Sequence, residues 1–69
     1  MVYVFKTTVD TELQVQKLTP YLDKLFPSSK WNFDLEDCDN IFRIESSENI
    51  LSSIKFLFKV FGFNCEELE

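Results

Sequence analysis

The sequence predicts an α+β fold: a four-stranded antiparallel sheet with two helices on one face, in the order βαββαβ. Three observations predict it. Four short segments alternate with a period of two or are rich in β-branched and aromatic residues, and two longer ones carry apolar residues at spacings of three and four. The two kinds follow one another as strand, helix, strand, strand, helix, strand. The clearest strand also alternates apolar with polar residues, which fits a sheet covered on one face and wet on the other.

The first strand is VYVFKTTV, residues 2–9. Tyr3, Phe5, Thr7 and Val9 are its more apolar set and are assigned to the core. From Leu13 to Phe26 the period changes, and Val15, Leu18, Leu22 and Leu25 form one helical stripe. Pro20 lies within it and removes one internal hydrogen bond. A second helix starting at Thr19 and Pro20 is good local grammar, but the stripe stays in phase through the proline, which favours one kinked helix. Pro27 helps to stop it.

In KWNFDLE, residues 30–36, Trp31, Phe33 and Leu35 alternate with Asn32, Asp34 and Glu36, and the first three are assigned to the buried face. Asp37, Cys38, Asp39 and Asn40 form a polar turn. IFRIE, residues 41–45, returns with Phe42 and Ile44 inward. Ser46 or Ser47 is expected to cap the second helix, with Glu48 in its first turn. Ile50, Ile54, Leu57 and Phe61 mark its stripe, widened by Leu51 and Phe58. Gly62, the only glycine, suits a left-handed stop. GFNCEELE then gives a short last strand with Phe63 and Cys65 on one face. This is the order of a ferredoxin-like split βαβ sandwich.

At 69 residues the chain is one domain near the lower size limit for independent folding, and 45% apolar residues with eight Phe supply its core. No apolar run approaches the ~20 residues of a membrane span. The N-terminus has neither the basic start nor the apolar stretch of a signal peptide. We therefore expect a cytoplasmic protein with two free thiols and no membrane insertion. Twelve acids against seven dispersed bases, a formal charge of −5, disfavour a nucleic-acid partner. The absence of His removes imidazole bases, Ser-His and Cys-His pairs and His ligands, and no Gly-rich phosphate loop is present. No enzyme activity and no cofactor are expected.

The turn at residues 10–14 holds the most local chemistry. Thr11 can accept a hydrogen bond at a helix start, and Gln14 three residues on can reach back to the cap's own N–H, the pattern of a capping box. Glu12 adds favourable charge in the first turn, and Asp10 is a rival cap one residue earlier.

The whole chain, from VYVFKTTV through VQKLTPYLDKL, WNFDLED and DNIFRIES to VFGFNCEEL, resembles a heavy-metal-associated domain, the module of copper chaperones and of metal-pumping ATPases. Such domains carry Cys-x-x-Cys after the first strand, and here those positions are Thr11 and Gln14. A neutral hydroxyl and an amide are weak ligands for Cu(I) or Zn(II), which thiolates hold in such turns. The resemblance therefore implies a small accessory or protein-interaction module over residues 1–69, with the family's soft-metal site gone and tight Cu(I) or Zn(II) binding not expected. It also implies docking through the loop-bearing end, at Asp10, Thr11, Glu12, Leu13, Gln14, Gly62 and Phe63, to a protein partner or a second copy.

Other candidates stand beside this. Cys38 and Cys65 are 27 residues apart and form no recognised ligand pair, and an atypical metal-binding or transfer protein would use them or the acids. Asp34, Glu36, Asp37 and Asp39 lack the spacing of a calcium loop and read as a solvated edge strand and turn. Lys6 and Arg43, on adjacent strands, are expected among Asp34 and Glu36 as a mixed-charge patch on the open sheet. A third reading is a small-ligand regulatory domain using that sheet. Phe56 and Phe58, with Tyr21, Phe26 and Trp31, are read as the rim of the core, although a surplus of Phe could form a contact surface.

Overall fold

The computed structural model describes residues 1–36 and 38–68. Its elements are β1 (Val2–Thr7), α1 (Glu12–Leu25), β2 (Lys30–Asp34), β3 (Ile41–Glu45), α2 (Leu51–Val60) and β4 (Cys65–Leu68). The sheet order is β2-β3-β1-β4, so β1 and β3 are central and β2 and β4 are edges. All three pairings are antiparallel, with Phe5 opposite Phe42, Phe33 opposite Phe42 and Thr7 opposite Cys65. This is the expected ferredoxin-like βαββαβ sandwich.

The core lies between the helices and one face of the sheet. Phe5, Val9, Leu18, Leu22, Phe42, Ile44, Ile54 and Phe58 are fully buried. Phe42 is at its centre, with ring centroids 4.7 Å from Phe33, 5.2 Å from Phe58 and 6.0 Å from Phe5. Period-two alternation brings Tyr3, Phe5 and Thr7 inward from β1 and leaves Lys6 exposed, as read from the sequence. Ile41 was not assigned inward, yet it is buried on the opposite face. It is opposite Lys6 in the β1–β3 register, and the Lys6 ammonium reaches 3.6 Å from Asp39.

α1 is one helix with Pro20 inside it. Pro20 and Gln16 are both exposed, so the Gln16 carbonyl that loses its N–H partner faces water, which makes the proline tolerable. The Thr19 hydroxyl donates to the Val15 carbonyl at 2.8 Å, covering a neighbouring acceptor. The stripe holds at Leu18 and Leu22 but not at Leu25, which is 55% exposed. The helix ends at Leu25, and Phe26, with its N–H on the Leu22 carbonyl, packs against the core instead.

α2 starts later than the sequence suggests. Its cap position is Ile50, which makes no side-chain cap bond, and no acid occupies its first turn. The Ser46 hydroxyl accepts from Glu48 N–H and the Asn49 carboxamide accepts from Leu51 N–H, both at 3.2 Å, so these residues form two successive turns before the helix. Ile50 is buried, and its hold on the core delays the helix start past Ser46, Ser47 and Glu48.

At the other end of α2, Gly62 has φ +81°. Its N–H reaches the Lys59 carbonyl at 3.0 Å and Phe63 N–H reaches the Phe58 carbonyl at 2.9 Å, the paired bonds of a Schellman stop. β1, β2 and β4 are each shorter than their sequence segments, because loop contacts take over at their ends.

Candidate functional site

The β1–α1 loop, the β2–β3 turn and the α2–β4 loop meet at one end of the sheet. Two adjacent threonines join them. Thr7 donates its backbone N–H to the Asn40 carbonyl at 3.2 Å and its hydroxyl to the same carbonyl at 2.8 Å, while that hydroxyl accepts from Val9 N–H at 3.2 Å. Thr8 N–H donates to the Asn64 carbonyl at 3.2 Å, and Asn64 N–H returns to the Thr8 hydroxyl at 2.9 Å. The sequence reading placed Thr7 in the core and gave Thr8 no role. The signal available was a Thr pair at the end of a strand, where hydroxyls commonly pair with loop backbone.

Within this end, Thr11 is the helix cap, extended at φ −131° and ψ 153°, and its hydroxyl accepts from Gln14 N–H at 3.2 Å. The Gln14 side-chain carbonyl accepts from Asp10 N–H at 2.8 Å. The reciprocal bond of the capping box thus closes on Asp10 N–H rather than on that of Thr11, and Asp10 is not the cap. Both side chains at the positions where the resembling family carries cysteine are engaged by backbone. Glu12 is exposed beside them, and Leu13 is 70% exposed. Gly62 and Phe63 reach the same end through Asn64, and Phe63 packs against the core.

The cysteines flank β1 from opposite sides. Cys65 is opposite Thr7 on β4, and Cys38 is in the turn whose Asp39 and Asn40 carbonyls face Thr7 N–H. Both are free, Cys38 exposed and Cys65 half-buried. Burial pushes the Cys65 thiol up to about 12, against a smaller opposing pull from the Lys55 ammonium. At neutral pH it is therefore a protonated thiol, and a poorer nucleophile than an ordinary cysteine. Among the described residues, no three or more His, Cys, Asp or Glu side chains converge as a metal site.

In the acidic segment, Asp34 accepts from Glu36 N–H at 3.2 Å and Asp39 pairs with Lys6 at 3.6 Å. Asp37 lies outside the described residues. Lys6 and Arg43 share the open face but are diagonal rather than opposite, since Arg43 is opposite Val4 and Lys6 is opposite Ile41. A shallow hollow of about 240 Å³ lies beside Arg43, Asn32 and Glu45. Among the described residues no helix is long and apolar enough to cross a membrane.

The sequence reading gave a Phe contact surface as the alternative to core rim, without placing it. Tyr21 and Leu25 of α1, with Phe56 and Val60 of α2, line a groove of about 530 Å³ on the outer face of the helix layer. Tyr21 meets Phe61 edge-on at 4.9 Å across it. Phe58 is core, as read, but Phe56 is 70% exposed and Tyr21 about half exposed, so the rim assignment fails for these two. Phe56 is two positions from Ile54, which turns it about 200° from the buried stripe.

No family model, curated protein or solved structure matches this chain. Its likeness to heavy-metal-associated domains rests on the order of elements and on the ferredoxin-like topology.

Proposed function

We propose that the chain is a non-enzymatic protein-interaction module built like a heavy-metal-associated domain, in which the turn after β1 caps a helix instead of holding a metal. The observation that carries this reading is the reciprocal engagement of Thr11 and Gln14 with the backbone, at 3.2 and 2.8 Å. Neither side chain is a soft donor, and the oxygen of each already accepts from backbone N–H. What the turn offers outward is exposed Leu13, with exposed Asp10 and Glu12 close by in the chain, an apolar point among acids. A basic protein surface with a small apolar recess would complement it.

Site-specific photo-crosslinking tests this. A photoreactive residue in place of Leu13 should give a discrete protein adduct that excess unmodified chain competes away, while the same residue in place of Asn32 on the open sheet should not. Identical adducts from both positions, or none from position 13, would overturn the docking reading.

A further inference from the structure

The groove between α1 and α2 is separate from the loop end, and the proposed docking there does not account for it. Its four large side chains are 49% (Tyr21), 55% (Leu25), 70% (Phe56) and 63% (Val60) exposed. An isolated exposed leucine needs no explanation, but four such residues around one hollow form a contiguous apolar patch. The core does not need them: Leu18, Leu22, Ile54 and Phe58 already fill the space between helices and sheet.

We infer that this groove is where two copies of the chain pair, helix layer against helix layer, about a two-fold axis. Three features select a second copy as the occupant. The first is shape. Phe56 is 70% exposed at the border of a hollow of about 530 Å³ that Tyr21 and Phe61 also line, so the patch offers both an accessible ring and a volume larger than one. A two-fold operation brings the ring of each copy to the hollow of the other, as an isologous interface requires.

The second feature is charge. The chain carries −5 overall, yet no residue lining the groove is charged. Lys17 and Lys24, at i−4 and i+3 from Tyr21, lie on the same side of α1. Two acidic copies thus meet at this face with no acid of one groove opposed to an acid of the other.

The third feature is area. With roughly 150–250 Å² for a fully exposed aromatic side chain, and somewhat less for Leu and Val, the four residues leave on the order of 400 Å² of side chain open per copy. Two copies facing each other would cover about 800 Å² from these residues alone. The Lys17, Lys24, Ser52 and Ser53 border brings the total toward the ~1,200 Å² at the lower end of specific interfaces. The dimer is therefore in concentration-dependent exchange with monomer, in four layers, sheet–helices–helices–sheet.

Sedimentation equilibrium of the full chain in reductant, which keeps exposed Cys38 from cross-linking, tests this. A monomer–dimer equilibrium is expected by about 100 μM protein, weakened at least about tenfold by Phe56→Glu and by Val60→Lys. Asn32→Ser, on the open sheet away from both the patch and the loop end, should leave it unchanged. Circular dichroism of each variant confirms folding, and the two patch variants act from separate exposed positions. A wild-type chain that stays monomeric to about 1 mM overturns the inference. So does a dimer that both patch variants leave intact, which would put self-association on another face.

Discussion

Replacing Thr11 with alanine should destabilise the chain by about 1 kcal/mol, the usual cost of deleting a side-chain helix cap. The structure sets this magnitude. The lost bond is that from Gln14 N–H at 3.2 Å, at an exposed position where water recovers part of the loss. Gln14 would also lose the alignment that brings its side chain to Asp10 N–H at 2.8 Å. In a domain of this length the change corresponds to a fall in Tm of about 4–8 °C. Urea and thermal unfolding by far-UV circular dichroism measure it. Thr11→Ser should restore most of the stability, because the hydroxyl is what caps the helix. Because the two bonds share Gln14, the Thr11→Ala/Gln14→Ala pair should cost less than the sum of the single changes. An unchanged midpoint for Thr11→Ala would refute the reasoning, since the turn would then have no structural use for the Thr11 hydroxyl.

Phe42→Ala should cost about 3–5 kcal/mol, enough to unfold much of a small domain at 25 °C, because it empties the centre of the ring cluster with Phe33, Phe58 and Phe5; denaturant titration reads it. Gly62→Ala should cost about 1 kcal/mol through its φ of +81° alone, since a Cβ there meets nothing within 4 Å, and Gly62→Asn should cost less. For Cys65, folding raises the thiol from its ordinary 9.0 to about 12. Between those values the folded chain keeps a proton that the unfolded chain releases, so this contribution to stability is full below pH 9 and is lost as pH rises toward 12. Wild-type stability should therefore fall more steeply above pH 9 than that of Cys65→Ala; parallel curves would contradict it. At neutral pH an alkylating reagent should label exposed Cys38 well before Cys65, as peptide mass mapping would show.

Much of the architecture was legible because its determinants are periodic. Val2 to Thr7 and Trp31 to Asp34 carry the alternation of a half-buried sheet, Leu18 and Leu22 the spacing of a helix face, and Gly62 the one backbone geometry that only glycine adopts at little cost. What was misread depends on contacts that local pattern does not encode. Ser46 and Ser47 are good caps by type, but buried Ile50 decides where α2 begins. Leu25 continues the stripe in phase, yet the helix ends there and Phe26 takes the inward place. At the loop end, Thr11 and Gln14 were legible because capping is local. The Thr7 and Thr8 bonds reach residues 33 and 56 positions away, and no local rule supplies those partners. The contact surface that surplus Phe offered could not be placed for a related reason: Tyr21 and Phe56 are apolar residues off the buried stripe, and only the packed helix pair brings them together.

The most direct test of the account is an anaerobic Cu(I) titration of the reduced chain against a competing chelator, followed by ¹H–¹⁵N NMR. It should be run on the wild type and on Thr11→Cys/Gln14→Cys. The account predicts no stoichiometric shifts at residues 11–14 in the wild type, and one tightly bound equivalent at that turn in the double variant, where two thiolates replace a capping pair on the same scaffold. Stoichiometric wild-type shifts at residues 11–14, or at Cys38 and Cys65, would contradict it.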